Sequence, residues 1–235
     1  MGLTILLGLF VFGLIIGLPV AVTLGVASAA YLWFAGIPLV TIPQKMYAGM
    51  DSFVLLCIPG FILAGNLMNA GGITVRIVRL AQAMVGWMRG GLGLTNVAAS
   101  MLFGGISGTA AADAASIGGM MIPGMKKAGY PVDFSAAITA ASSTVGPIIP
   151  PSVPMIIVGT LSGISVGKMF IAGAIPGLMM GGAMMITAWI IAKRRNFPRQ
   201  AWMGWGELMR AFMGAFWAVM MTVLIIGGML SGFAT

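Results

Sequence analysis

The chain has no histidine, one cysteine and four acidic residues in 235 positions. Without histidine, imidazole-based nucleophile activation and most zinc chemistry fall away. A single cysteine, Cys57, set in an apolar run, leaves no disulfide framework and reads as a small buried hydrophobe. The acids Asp51, Asp113, Asp133 and Glu207 lie far apart, so no paired acid/base arrangement is indicated, and an enzyme is not expected. Charged residues make up 7% of the chain, against ~25% in soluble domains. What fills the space instead is apolar: 60% hydrophobic residues and a mean hydropathy of +1.07, the composition of an integral membrane protein. The 22 methionines have no metal-trafficking spacing and read as packing or lipid-facing residues.

A net charge of +8 would suit a polyanion-binding surface. Its distribution argues for membrane topology: Arg76, Arg79 and Arg89, then Lys126 and Lys127, then Lys193, Arg194, Arg195, Arg199 and Arg210 lie beside apolar segments. That is the juxtamembrane pattern of cytoplasmic loops, with no interleaving of aromatic and base-reading side chains, so no nucleic-acid partner is expected. The N-terminus is apolar from Leu3 but lacks a basic n-region, and is read as a membrane segment rather than a removable signal peptide.

Residues 3–36 are too long for one upright helix, and Gly17-Leu18-Pro19 divides them into two short spans. A short surface helix follows near 44–50, then a span over 52–70. Residues 72–89 set Arg76, Arg79 and Arg89 against Ile73, Ile77, Leu80, Met84 and Trp87, an amphipathic helix expected on the cytoplasmic surface. Residues 90–125 are bounded by Arg89 and by Lys126-Lys127, so both ends belong on one side, and the second arm is too short to cross. A re-entrant helical hairpin with its tip at 104–109 fits. From Asp133 the chain forms a span over 133–165, broken at Gly146-Pro147 and Pro150-Pro151, followed by spans over 168–192 and about 207–233. The expected fold is an all-α membrane protein with one re-entrant hairpin and one discontinuous helix.

Interrupted membrane helices expose backbone groups that only protein or a solvated cavity can satisfy, and they point to the ion and solute site of a secondary transporter. The hairpin tip offers Ser107, Gly108 and Thr109, with Asp113 one turn beyond; the break offers Ser142, Ser143, Thr144, Val145, Gly146 and Pro147. Unwound carbonyls and hydroxyls can hold a sodium ion without a buried formal charge, whereas the half-helix starts at Thr109–Ala112 and Ser152–Met155 present N–H groups suited to a carboxylate. Asp113 has two readings: a favourable charge in the first turn of its helix, or a group that supports the ion site from behind its oxygens. A passive channel lacks a filter or charged ring here.

Three stretches carry a family resemblance: Gly104-Gly-Ile-Ser-Gly-Thr-Ala-Ala-Ala-Asp-Ala-Ala-Ser116, Ile122-Pro-Gly-Met-Lys-Lys-Ala-Gly-Tyr-Pro131 and Ser143-Thr-Val-Gly-Pro-Ile-Ile-Pro-Pro-Ser152, joined by Gly71-Gly72-Ile73 and Ala172-Gly-Ala-Ile-Pro-Gly177. They resemble the large membrane subunit of the tripartite ATP-independent periplasmic (TRAP) transporters. The resemblance implies sodium-coupled uptake of small organic acids, such as C4-dicarboxylates or sialic acids, across the bacterial or archaeal cytoplasmic membrane. The partners it implies are a periplasmic substrate-binding protein and a small four-helix membrane subunit, with sodium as coupling ion and no other cofactor. It places an ion site on Ser107, Gly108, Thr109, Thr144, Val145, Gly146 and Pro147, with solute contacts at Ser143, Pro150, Pro151 and Ser152. It also implies an elevator: scaffold spans and an amphipathic arm in 1–89, half of a transport domain in 90–192, and a cytoplasmic loop and bridging helix in 193–235. The family's large subunit carries a second, inverted copy of hairpin and broken span, and only one copy is found here. A fragment, a split gene product or a non-transporting scaffold subunit is therefore the alternative expectation.

Overall fold

The computed structural model describes residues 2–51, 55 and 57–231, and within them it is helical, with no strand. The surroundings of the Cys57 side chain and residues 52–54, where the span expected over 52–70 begins, lie outside the described residues. The chain divides into two compact units, Met1–Ser52 and Phe53–Thr235.

In the first unit, α1 (Gly2–Ile15) and α2 (Val20–Phe34) pack on each other, and α3 (Thr41–Met50) follows. The break falls at Gly17-Leu18-Pro19, as the sequence indicated, because proline cannot donate into the preceding turn. The contact is close: a methyl on Gly13 would sit 3.1 Å from Thr23 Oγ1.

The second unit is built around α6 (Gly91–Ser107), which is buried on almost every side. Its sequence explains this: a helix of small and apolar residues with no charge has little to present to water, and its few polar side chains, Thr95, Asn96, Ser100 and Ser107, are buried with the rest. Around it pack α5 (Ile73–Val85), α7 (Ala110–Lys127), α8 (Val132–Ser143), α10 (Val166–Arg194) and α11 (Gly204–Leu230), with α4 (Cys57–Ala70) and α9 (Val153–Ser162) alongside. Among the described residues two helices, α10 and residues 204–225 of α11, are individually long and apolar enough to cross a membrane. The chain turns by 72° between α4 and α5 at Gly71-Gly72, where Gly72 takes a left-handed φ of +75°.

The amphipathic α5 spends its apolar face on protein: Ile77, Leu80 and Ala81 are buried against α6 and α11. Outward, Arg79 and Arg210 both pair with Glu207 of α11.

The basic loops gather at one end. Arg199 Nε donates to Trp87 O at 3.1 Å, Gly90 N donates to Pro198 O at 3.4 Å, and Arg195 pairs with Asp133 at 3.6 Å. Phe197 fits between Tyr130 and Phe134, with ring centroids 4.9 Å from each. Burial there pushes the Tyr130 phenol above its ordinary range, because phenolate would lose its hydration, while a backbone hydrogen bond with Leu92 opposes the shift. The start of α6, the end of α7, the start of α8 and the end of α10 thus meet at one end of the bundle, as charge bookkeeping at Arg89 and Lys126-Lys127 required.

Phe197→Ala removes the middle ring of this cluster. It is expected to cost about 3 kcal/mol, read as a lower thermal unfolding midpoint of the detergent-purified protein.

Candidate functional site

The turn between α6 and α7 is shorter than the sequence suggested. Gly104 to Ser107 stay helical, and only Gly108 and Thr109 leave the helix. Gly108 closes α6 in a left-handed conformation, φ +60°, and its N–H donates to Gly104 O at 3.0 Å. Thr109 is extended and caps α7, its Oγ1 accepting from Ala112 N at 3.3 Å. Ser107 Oγ donates to Thr109 O at 3.4 Å.

The second interruption runs from Thr144 to Pro151. Successive turns tie it: Val145 N to Ser142 O at 3.0 Å, Gly146 N to Ser143 O at 3.2 Å, and Ile148 N to Val145 O at 2.9 Å. Ser152 then caps α9, accepting from Met155 N at 3.3 Å and donating to Pro147 O.

These two interruptions meet. A methyl on Gly104 would sit 2.6 Å from Gly146 Cα and 3.4 Å from Gly146 O; one on Gly105 would sit 3.1 Å from Pro150 O; one on Gly108 would sit 3.2 Å from Pro151 O. Gly104 is therefore demanded by backbone-to-backbone approach across the site, Gly105 stands tight against Pro150 O, and Gly108 is demanded by its φ. Carbonyls of Gly146, Pro150 and Pro151 face the hairpin. From α11, Thr222 Oγ1 donates to Gly105 O at 3.2 Å. Behind the break, Gly173 and Gly177 of α10 lie against Ile148 and Ile149. Gly177 is about 24 Å along the helix axis from Lys193 and about 14 Å from Lys168, so the meeting point lies inside the uncharged stretch of α10.

The candidate residues are distributed as follows. Ser107, Val145 and Gly146 are buried, and Thr109 and Pro147 are half-buried. Thr144 is exposed, its Oγ1 donating to Ala141 O at 2.7 Å. Of the four solute candidates, Pro150, Pro151 and Ser152 are buried beside the tip, and Ser143 Oγ donates to Thr139 O at 2.8 Å. The hydroxyls of Ser143 and Ser152 are thus engaged with the backbone.

Asp113 is 0% exposed, and neither carboxylate oxygen has a hydrogen-bond partner among the described residues. The Ser100 and Ser143 hydroxyls are the polar groups that face it. Below them runs a buried polar seam between α6 and α8. Ser100 and Ser142 hydroxyls are 3.0 Å apart, and Asn96 Nδ2 donates to Thr139 Oγ1 at 2.6 Å. Asn96, Ser100 and Thr139 escaped the reading of the sequence, although their four-residue spacings, 96 to 100 and 135 to 139, mark facing polar stripes of a kind that joins membrane helices. Asn66, Asn69 and Ser116, near the tip, also went unread.

Helices of this apolarity, folded back and forth around a buried polar seam, define a multi-pass membrane protein. The family model described as "Tripartite ATP-independent periplasmic transporter, DctM component" matches residues 6–235, and the chain belongs to that family, one of transporters rather than enzymes. It is 43% identical over its whole length to the 2,3-diketo-L-gulonate TRAP transporter large permease protein YiaN of Escherichia coli, covering 56% of that protein. It is 40% identical to the C4-dicarboxylate TRAP transporter large permease protein DctM of Vibrio cholerae, over 98% of this chain and 51% of the relative. With the sialic acid TRAP transporter large permease protein SiaM of Vibrio cholerae it shares 41% identity, over 92% of this chain and 51% of the relative. The chain spans about half the length of the curated relatives it matches.

Gly104→Ala forces a methyl against the Gly146 backbone and is expected to destabilise the fold by about 1–3 kcal/mol. Gly119→Ala, a position on α7 with nothing within 4 Å, is expected to be neutral or slightly stabilising. Thermal midpoints of the two variants in detergent check the contrast.

Proposed function

We propose that this chain supplies one half of the permease of a sodium-coupled, binding-protein-dependent carrier of small organic acids. The observation that carries the reading is the meeting of two interrupted helices in the interior of the bundle, where Gly108 and Thr109 face the carbonyl-bearing turns of Thr144 to Pro151. Sodium requires several oxygens at short range, and backbone carbonyls with Ser107, Thr109 and Thr144 supply them without a formal charge. The starts of α7 and α9, both capped by hydroxyls, present N–H groups and a positive helix end to a solute carboxylate next to the ion. Ser143, Pro150, Pro151 and Ser152 shape that neighbourhood.

In this reading α6 and α7 form a re-entrant hairpin with its base on the cytoplasmic side, where the basic loops collect. The transport stroke is an elevator movement of hairpin and broken helix against a scaffold. The solute is a small carboxylic acid of the chemical range named for the relatives, delivered by a periplasmic binding protein, with a small membrane subunit alongside and the remaining half of the permease completing the pocket. Its seat is the bacterial or archaeal inner membrane.

Reconstituted with its partners, the complete permease tests the ion site. Ser107→Ala and Thr144→Ala are expected to raise the sodium concentration for half-maximal uptake; unchanged sodium dependence in both overturns the assignment. Asp113→Asn, which removes a buried charge without removing a bonded partner, is expected to leave the protein folded and to weaken sodium dependence. Loss of inserted protein would instead assign Asp113 to packing.

A further inference from the structure

Helix α4 brings two amides to the hairpin tip. In Cys57–Ala70 the only amide side chains are Asn66 and Asn69, set in an otherwise apolar sequence. Together with Ile62 and Gly65 they recur at three- and four-residue spacing and so share one face. That face borders a cleft of about 60 Å³ whose opposite side is Ser107, Thr109 and Ser116. The approach is close: a methyl on Gly65 would lie 3.8 Å from Ile106 O and from Ser107 Cα.

The two asparagines are held differently. Asn69 is pinned, its Oδ1 accepting from Thr74 Oγ1 at 2.6 Å and its Nδ2 donating to Ser116 Oγ at 3.1 Å, which ties α4, the first turn of α5 and the hairpin together. Asn66, one turn back along the same face, is exposed and lines the cleft beside Ser107 and Thr109. An amide facing hydrocarbon loses its hydrogen bonds to water, so an exposed asparagine in such a helix calls for a wet cavity or a polar ligand. The cleft's polar groups are amides and hydroxyls, with no acid among its lining residues, which suits an oxygen-rich anion and repels none. Its volume takes one small polar group; a complete pocket for a larger ligand needs about 300–1,000 Å³.

We infer that this cleft is a solute subsite and that Asn66, steadied by the anchored Asn69, donates to a carboxylate or hydroxyl oxygen of the transported acid. This rests on the carrier reading above. It adds a specificity-determining residue from a helix outside the hairpin and the broken span.

The test uses the complete permease with its partner proteins in membrane vesicles, and the probe is whichever of 2,3-diketo-L-gulonate, succinate or N-acetylneuraminate supports sodium-driven uptake there. Asn66→Ala is expected to raise the solute concentration for half-maximal uptake about tenfold, the loss of one hydrogen bond to a charged group, with sodium dependence unchanged. In a background lacking Cys57 and any other cysteine, Asn66→Cys is expected to react with a charged, membrane-impermeant thiol reagent and to be protected by that solute. Leu67→Cys, on the far face of α4, is expected to stay unreactive. Unaltered solute affinity in Asn66→Ala, an unreactive Asn66→Cys, or reactivity indifferent to solute overturns the subsite. Absence of sodium-driven uptake of any organic acid by the unmodified permease would overturn the carrier reading instead, so the two failures are told apart.

Discussion

The constraint on which the rest of this structure depends is the satisfaction of backbone polar groups where water is scarce. A helix stopped inside an apolar bundle leaves N–H and C=O groups without their usual partners. Here two stopped helices solve the problem together. Hydroxyl caps at Thr109 and Ser152 take up N–H groups, tight turns over 142–149 take up others, and the remaining carbonyls turn toward the hairpin. Thr222 reaches in from α11 to claim one more. The polar seam below, from Ser100 and Ser142 to Asn96 and Thr139, extends the same economy through the centre of the bundle without a paired charge.

That arrangement is positioned by features at a distance. The aromatic cluster of Tyr130, Phe134 and Phe197 and the backbone contacts among 87–90 and 198–199 fasten the bases of α6, α7, α8 and α10 at one end. With the bases fixed, helix length sets where the tip and the break arrive: Ser142, near the end of the 12-residue α8, lies beside Ser100, and the 17-residue α6 runs on alongside the unwound turns, so that Gly104 meets Gly146 and Gly108 meets Pro151. The glycines of α10 then make room for Ile148 and Ile149 behind the break.

Much of this was legible before any coordinates. Charge runs at Arg89, Lys126-Lys127 and 193–199 located the ends of the helices, because a cation cannot lie in an apolar bundle without a partner. Proline pairs marked the break because their chemistry forbids helix. The helix starts at Ala110, Val132 and Val166 fall within a residue or two of expectation. Less legible was the extent of the tip: Gly104 and Gly105 look like turn formers, yet they are helical, and their lack of side chain serves a long-range approach to Gly146 and Pro150. Local sequence carries no signal of a neighbour forty residues away. For the same reason the apolar face of α5, expected as that of an amphipathic helix on the cytoplasmic surface, gave no sign that α6 and α11 cover it. Asn66 and Asn69 were passed over because a lone amide carries little information until its facing wall is known.

The glycine-to-glycine contact between positions 104 and 146 has a consequence for how this protein can change. Where two main chains touch with nothing between them, there is no intermediate layer to be tuned by degrees. The chemistry offered at that junction is written in the path of the peptide, so evolutionary drift can decorate its outskirts freely but can edit its centre only by wrecking it. A lineage that changes the chemistry around that junction must therefore do so from the periphery, with its innermost fitting inherited intact.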